Sequence, residues 1–88
     1  MILEIVKIKT VKNKTAVWVK TMRKNQNFSQ DQLATILNVS RITIQNLESG
    51  KNITFDTLLK VLQYFDSLDK LYDFIDSEIS NNQHKSLY

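Results

Sequence analysis

Phe28-Ser29-Gln30-Asp31-Gln32-Leu33-Ala34-Thr35-Ile36-Leu37-Asn38-Val39-Ser40-Arg41-Ile42-Thr43-Ile44-Gln45-Asn46-Leu47-Glu48-Ser49-Gly50 is the stretch that decides the fold. Ser29 sits between the apolar Phe28 and a run that places Gln32 three residues on and Leu33 one further. A serine so placed accepts a hydrogen bond from the third helical N–H while the glutamine reaches back to the serine's own N–H, and the flanking apolar pair staples the entry. Val39-Ser40 followed by Ile44 repeats the spacing, as does Ile53-Thr54 followed by Leu58. Helices therefore start near 30, 41 and 55. Leu33, Ala34 and Leu37 end one apolar stripe and Ile44 and Leu47 begin the next, which leaves only Asn38, Val39 and Ser40 between two helices. A helix, a three-residue turn and a second helix make a helix-turn-helix. Gly50, the one glycine of 88 residues, stands where a left-handed residue ends the second helix.

Outward from this stretch the apolar spacing continues. Thr15, Trp18, Val19 and Met22 predict a first helix from about 14 to 26. Leu58, Val61, Leu62 and Phe65 face inward from a fourth, and Leu68, Leu71, Tyr72, Ile75 and Ile79 from a fifth. Residues 2–8 are rich in β-branched side chains and read as a short strand, which would have to pair with a copy or a partner's sheet edge. The polar stretch 80–88 reads as a frayed tail. The fold class expected is mainly α, five helices with a strand-like N-terminal extension, divided as extension 1–12, helical domain 13–79 and tail 80–88.

Inventory excludes much. With no cysteine and His84 as the lone histidine, disulfides, thiolate zinc sites and cysteine nucleophiles are absent, and no metal or cofactor is expected. One glycine does not make a phosphate-cradling loop. Asp69, Asp73 and Asp76 lie a helical turn apart but have no histidine near them in sequence, so they read as a solvated acidic face or a landing place for a basic partner, and no enzyme is expected. No apolar run approaches the ~18 residues of a membrane span, and the charged start is unlike a signal peptide, so the expectation is a soluble, cytoplasmic protein with no membrane and no small-molecule substrate.

The net charge of +3 conceals an asymmetry. Lys7, Lys9, Lys12, Lys14, Lys20, Arg23 and Lys24 oppose only Glu4 in the first 24 residues, whereas beyond residue 51 six acids oppose Lys60, Lys70 and Lys85. A basic half and an acidic half suggest a nucleic-acid face at one end and another contact at the other.

The identities at Met22-Arg23-Lys24, Phe28-Ser29-Gln30, Gln32-Leu33-Ala34, Val39-Ser40, Ile44 and Leu47-Glu48-Ser49-Gly50-Lys51 resemble the Cro/CI or XRE class of helix-turn-helix repressors, over residues 15–76. Asn38 departs from the glycine usual in the turn, but asparagine tolerates a positive φ. The resemblance implies a five-helix, lambda-repressor-like domain and a pairing of Glu48 with a cation near Arg23. It also implies double-stranded DNA as ligand. The second helix of such a motif enters the major groove by its N-terminal end. Arg41, Ile42, Thr43 and Asn46, on its start and outer face, are then the base-reading candidates: arginine for guanine, asparagine for adenine, Ile42 or the Thr43 methyl for a thymine methyl. Ser29, Gln30, Gln45, Lys51 and Asn52 are the backbone candidates, with Gln30, by the family's pattern, holding phosphate and buttressing the reading helix. Trp18, Phe55 and Phe65 are expected in the core or an interface.

Residues 53–71 are similar to the HipB-like antitoxin branch, whose C-terminal dimer strand has no counterpart here, the strand-like piece being N-terminal. This narrower resemblance implies a homodimeric repressor on a palindromic operator, acting as the antitoxin of a HipBA-type type II toxin-antitoxin module, autoregulating its operon and binding a HipA-like kinase toxin. The alternatives are a phage-type or stand-alone XRE repressor without a toxin, and an interaction module that mainly inhibits a partner protein.

Overall fold

The computed structural model describes residues 5–86 and contains five helices: α1 (Ile8–Asn25), α2 (Gln30–Leu37), α3 (Arg41–Ser49), α4 (Phe55–Tyr64) and α5 (Leu68–Ser86). Helices α2, α3 and α4 begin where their caps predict. Ser29 Oγ accepts the Gln32 N–H at 3.0 Å and Gln32 Oε1 accepts the Ser29 N–H at 2.8 Å, so the reciprocal box is complete. Ser40 Oγ accepts the Thr43 N–H at 3.1 Å and Thr54 Oγ1 the Thr57 N–H at 3.2 Å. Each such cap contributes about 1 kcal/mol.

The ends of α1 to α4 share one device. Asn27, Asn38, Gly50 and Asp66 have φ of 59°, 57°, 76° and 53°, and each is followed by a residue whose N–H bonds back five positions. Phe28 bonds to Arg23 O at 3.2 Å, Val39 to Ala34 O at 2.9 Å, Lys51 to Asn46 O at 2.8 Å and Ser67 to Leu62 O at 2.8 Å. This is the closure that satisfies the last carbonyls of a helix. Asparagine and aspartate fill three of these four left-handed positions because their short polar side chains tolerate them. A β-carbon at Gly50 would stand 3.1 Å from the movable Asn13 Oδ1 and 3.6 Å from the Lys12 carbonyl oxygen, so backbone strain dominates the cost of a larger residue. Gly50→Val is expected to destabilise the domain by about 1–2 kcal/mol. Thermal denaturation checks this, at about 4–8 °C per kcal/mol for a domain of this size; an unchanged midpoint would contradict it.

The core is two buried clusters: Val19, Leu47 and Val61 in one, Leu33, Ala34 and Ile44 in the other, with Leu37 and Phe65 packed against both. Ala34 is small where α2 meets α3, and α3 is held chiefly between α1 and α2. Phe28, the staple residue of α2, has its ring centroid 6.1 Å from that of Tyr64 and 6.5 Å from that of Phe65, so the entry of α2 is tied to the end of α4.

Three expectations are corrected. Residues 5–7 of the expected strand have no regular structure and Ile8 is already helical, while residues 2–4 lie outside those described. Among the described residues there is no strand, hence no ladder to satisfy a β-branched segment; instead Thr10 Oγ1 accepts the Lys7 N–H at 3.3 Å and α1 starts there. The stretch expected as a tail continues α5 to Ser86. It contains neither proline nor glycine, so nothing in it stops a helix. Both expected domain boundaries, 12/13 and 79/80, consequently fall inside helices. Of the three aromatics expected in the core or an interface, Phe65 is half-buried against both core clusters, and Phe55 and Trp18 stand exposed.

Candidate nucleic-acid interface

Helix α3 buries Ile44 and Leu47 and turns its opposite side outward. Arg41 is the first residue of α3, exposed, with Nε 3.5 Å from Asp31 Oδ1. Both side chains of that pair are more than half exposed, so it is a weak pair that Arg41 can leave for another acceptor. Ile42 is 65% exposed. An isoleucine held this open at the start of a helix packs little on the other described residues and fits an apolar contact such as a thymine methyl.

The other candidates divide. Thr43 is half-buried and its Oγ1 lies 2.8 Å from Ser40 Oγ, so its hydroxyl serves the helix cap and its methyl is what remains for a ligand. Asn46 is half-buried at the edge of the face, whereas Gln45, placed among the backbone candidates, is exposed beside Arg41 and Ile42. The helical angle explains this, since position 45 lies one turn from 41 and 42 and away from Ile44 and Leu47. Sequence spacing alone carried that signal. Lys51 and Asn52 are exposed in the loop after α3, with Asn52 at φ 47°. The Lys12–Asn13 turn of α1 abuts the same loop through Gly50, which brings the lysine-rich helix beside Lys51.

Behind the face lies an ion-paired network. Arg23 Nε donates to Glu48 Oε2 at 2.6 Å and Arg23 Nη2 to Glu48 Oε1 at 2.9 Å, a two-pronged pair that joins the end of α1 to the end of α3. Arg23 Nη1 also donates to the Phe28 carbonyl at 2.7 Å, and Gln30 Nε2 to Glu48 Oε1 at 3.2 Å. The hydrogen bond with Glu48 holds the Arg23 guanidinium above its ordinary pKa, against the opposing effect of burial, so the guanidinium stays charged. Gln30 thus reaches the reading helix from the N-terminus of α2, and Ser29 is occupied as its cap. One carboxylate fastens three helices, fixing α3 relative to the N-terminus of α2, where unpaired backbone N–H groups favour an anion. The arrangement presents a groove-sized helix with an arginine, an apolar group and amides outward, flanked by cations. Among the described residues no group of histidine, cysteine or carboxylate side chains is placed to hold a metal, and no helix is long and apolar enough to cross a membrane.

The helix-turn-helix family model HTH_3 matches residues 19–71, more than half of the chain and all of α2, α3 and α4. No curated protein matches the sequence. With the capped helix pair, the three-residue turn and the outward face of α3 all inside the matched segment, the chain belongs to the HTH_3 family of XRE-type DNA-binding transcription regulators.

Proposed function

We propose that the protein is a homodimeric, sequence-specific repressor that places two copies of α3 in successive major grooves of a palindromic operator. Arg41, Ile42, Thr43 and Asn46 read base edges, Gln45 joins them, and Ser29, Gln30, Lys51 and Asn52 hold the phosphate backbone. The observation that carries this reading is the solvent-facing Ile42 beside Arg41 on a helix whose other side is fixed by Ile44, Leu47 and Glu48. In vitro selection from random duplex DNA tests it. A two-fold symmetric site with half-sites about 10 base pairs apart is expected, bound with an affinity that falls steeply with salt. A selected pool without a common sequence would overturn the reading.

A narrower reading rests on the likeness of residues 53–71 to HipB-like antitoxins. In it the repressor is the antitoxin of a HipBA-type module, autoregulates its operon and binds a HipA-like kinase toxin. Co-purification with the product of the adjacent gene separates this reading from a stand-alone repressor.

A further inference from the structure

Helices α1 and α5 each carry an apolar stripe that no other described residue covers. On α1 it runs through Ile8, Val11 and Trp18; on α5 through Tyr72, Ile75 and Ile79, with Phe55 of α4 beside its start. Within each helix these residues recur at three- and four-residue spacing and so share one face. The two helices approach each other at one corner, where Ser67, the residue before α5, sets its Oγ 3.8 Å from the Sδ of Met22 on α1. Exposed apolar stripes on two helices mark surfaces for contact with another macromolecule.

The charges beside the stripes say which. Helix α1 contains five lysines and an arginine and no acid, and Lys7 and Lys14 border its stripe. The first three turns of α5 carry Asp69, Asp73, Asp76 and Glu78 against Lys70 alone. Pairing α5 with a second α5 would stack carboxylates on carboxylates, and pairing α1 with a second α1 would stack lysines. Pairing α1 with α5 of another copy opposes the signs and covers both stripes at once. A two-fold axis makes that contact twice, since in a closed dimer each patch meets the other patch of its partner.

We propose that the chain dimerises reciprocally, the basic N-terminal half of α1 in each copy lying along the acidic face of α5 in the other. The inference rests on the homodimer reading above and names its surface. Added salt weakens the dimer, because exposed opposite charges are screened.

Charge reversal tests it. One variant carries Lys7→Glu and Lys14→Glu, the other Asp76→Lys and Glu78→Lys; none of the four is among the residues assigned above to DNA, and circular dichroism monitors folding. By sedimentation equilibrium in low salt, the wild type is expected to be a dimer and each variant alone to dissociate at least tenfold more readily. An equimolar mixture of the two is expected to recover a heterodimer, because both of its α1–α5 contacts then oppose charges again. A chain with all four substitutions is expected to pair with itself and not with the wild type. A wild-type dimer that neither variant weakens overturns the proposed surface and leaves the homodimer reading standing, whereas a wild type that is monomeric on and off DNA overturns both. Pairing of the α5 variant with the wild type, with no effect from α1, would assign α5 to itself and overturn the reciprocal contact. Weaker DNA binding by the α1 variant with its dimer intact would assign those lysines to phosphates instead. If either variant fails to fold, Val11→Cys and Ile75→Cys chains, in a protein with no cysteine of its own, replace them. A short bis-maleimide should then join the mixture as a heterodimer and leave each chain alone uncoupled; the reverse pattern overturns the proposal.

Discussion

Glu48→Ala is expected to remove about 3–5 kcal/mol of folding stability, because it strands a buried guanidinium without its counter-charge. The side chains of Arg23 and Glu48 are 9% and 3% exposed, and after the substitution the Phe28 carbonyl is the acceptor left to Arg23 of those described above. That loss is a large fraction of the ~5–15 kcal/mol that holds a small domain together. Urea denaturation followed by circular dichroism measures it, and a cost below about 1 kcal/mol would mean that the pair does not fasten α1 to α3. The double variant Arg23→Met/Glu48→Leu separates the causes. With both charges gone and the volume filled, most of the stability should return, as buried ion pairs are often no stronger than well-packed apolar replacements. The network's value then lies in aligning Gln30 and α3, and the double variant should bind DNA less well than its stability suggests.

Arg41→Ala is expected to leave the fold intact and remove sequence preference at the base that Arg41 reads. Arg41 is exposed and its pair with Asp31 is solvent-screened, so at most about 1 kcal/mol of stability is at stake. A bidentate arginine–guanine contact is worth about 1–3 kcal/mol of discrimination, roughly 5- to 150-fold between the operator and a site changed at that base. Fluorescence anisotropy against both duplexes measures the ratio, and an unchanged ratio would remove Arg41 from the reading face. Lys51→Ala provides the contrast. It should weaken binding to both duplexes alike and lower the salt slope by about 1, as expected of a phosphate contact.

The central part of this fold was legible because its punctuation is chemical. Ser29, Ser40 and Thr54 start their helices in the positions predicted, Asn38 takes the left-handed turn, and Gly50 closes α3. The pairing of Glu48 with Arg23 followed from the family resemblance and is found. The two ends were misread for the converse reason. Helix α1 starts six residues before its expected position at 14, after Lys7, whose side chain cannot accept a hydrogen bond, and through β-branched residues that favour strands when a partner strand exists. The far end of α5 lacks any stop signal, and polar residues alone do not distinguish a helix end from a tail. Phe55 and Trp18 show the remaining gap: periodicity identifies an apolar face but not whether the same chain covers it. Gln45 shows the same for the site, where spacing gave its direction and only the packed helix showed how open it stands.

The left-handed helix ends also bear on how fast the chain folds. Each is closed by a bond between residues five apart, and α3 packs chiefly on α1 and α2, so most of the structure is local in sequence. Helical domains of this kind fold in microseconds to milliseconds, because little loop entropy is lost before contacts repay it. The main closure brings Arg23 to Glu48 across 25 residues. Seating Ser67 against Met22 spans 45 residues, yet closure entropy grows only logarithmically, which adds about 0.5 kcal/mol. The shorter closure of α1 to α3 is thus expected to favour their assembly ahead of α4 and the start of α5.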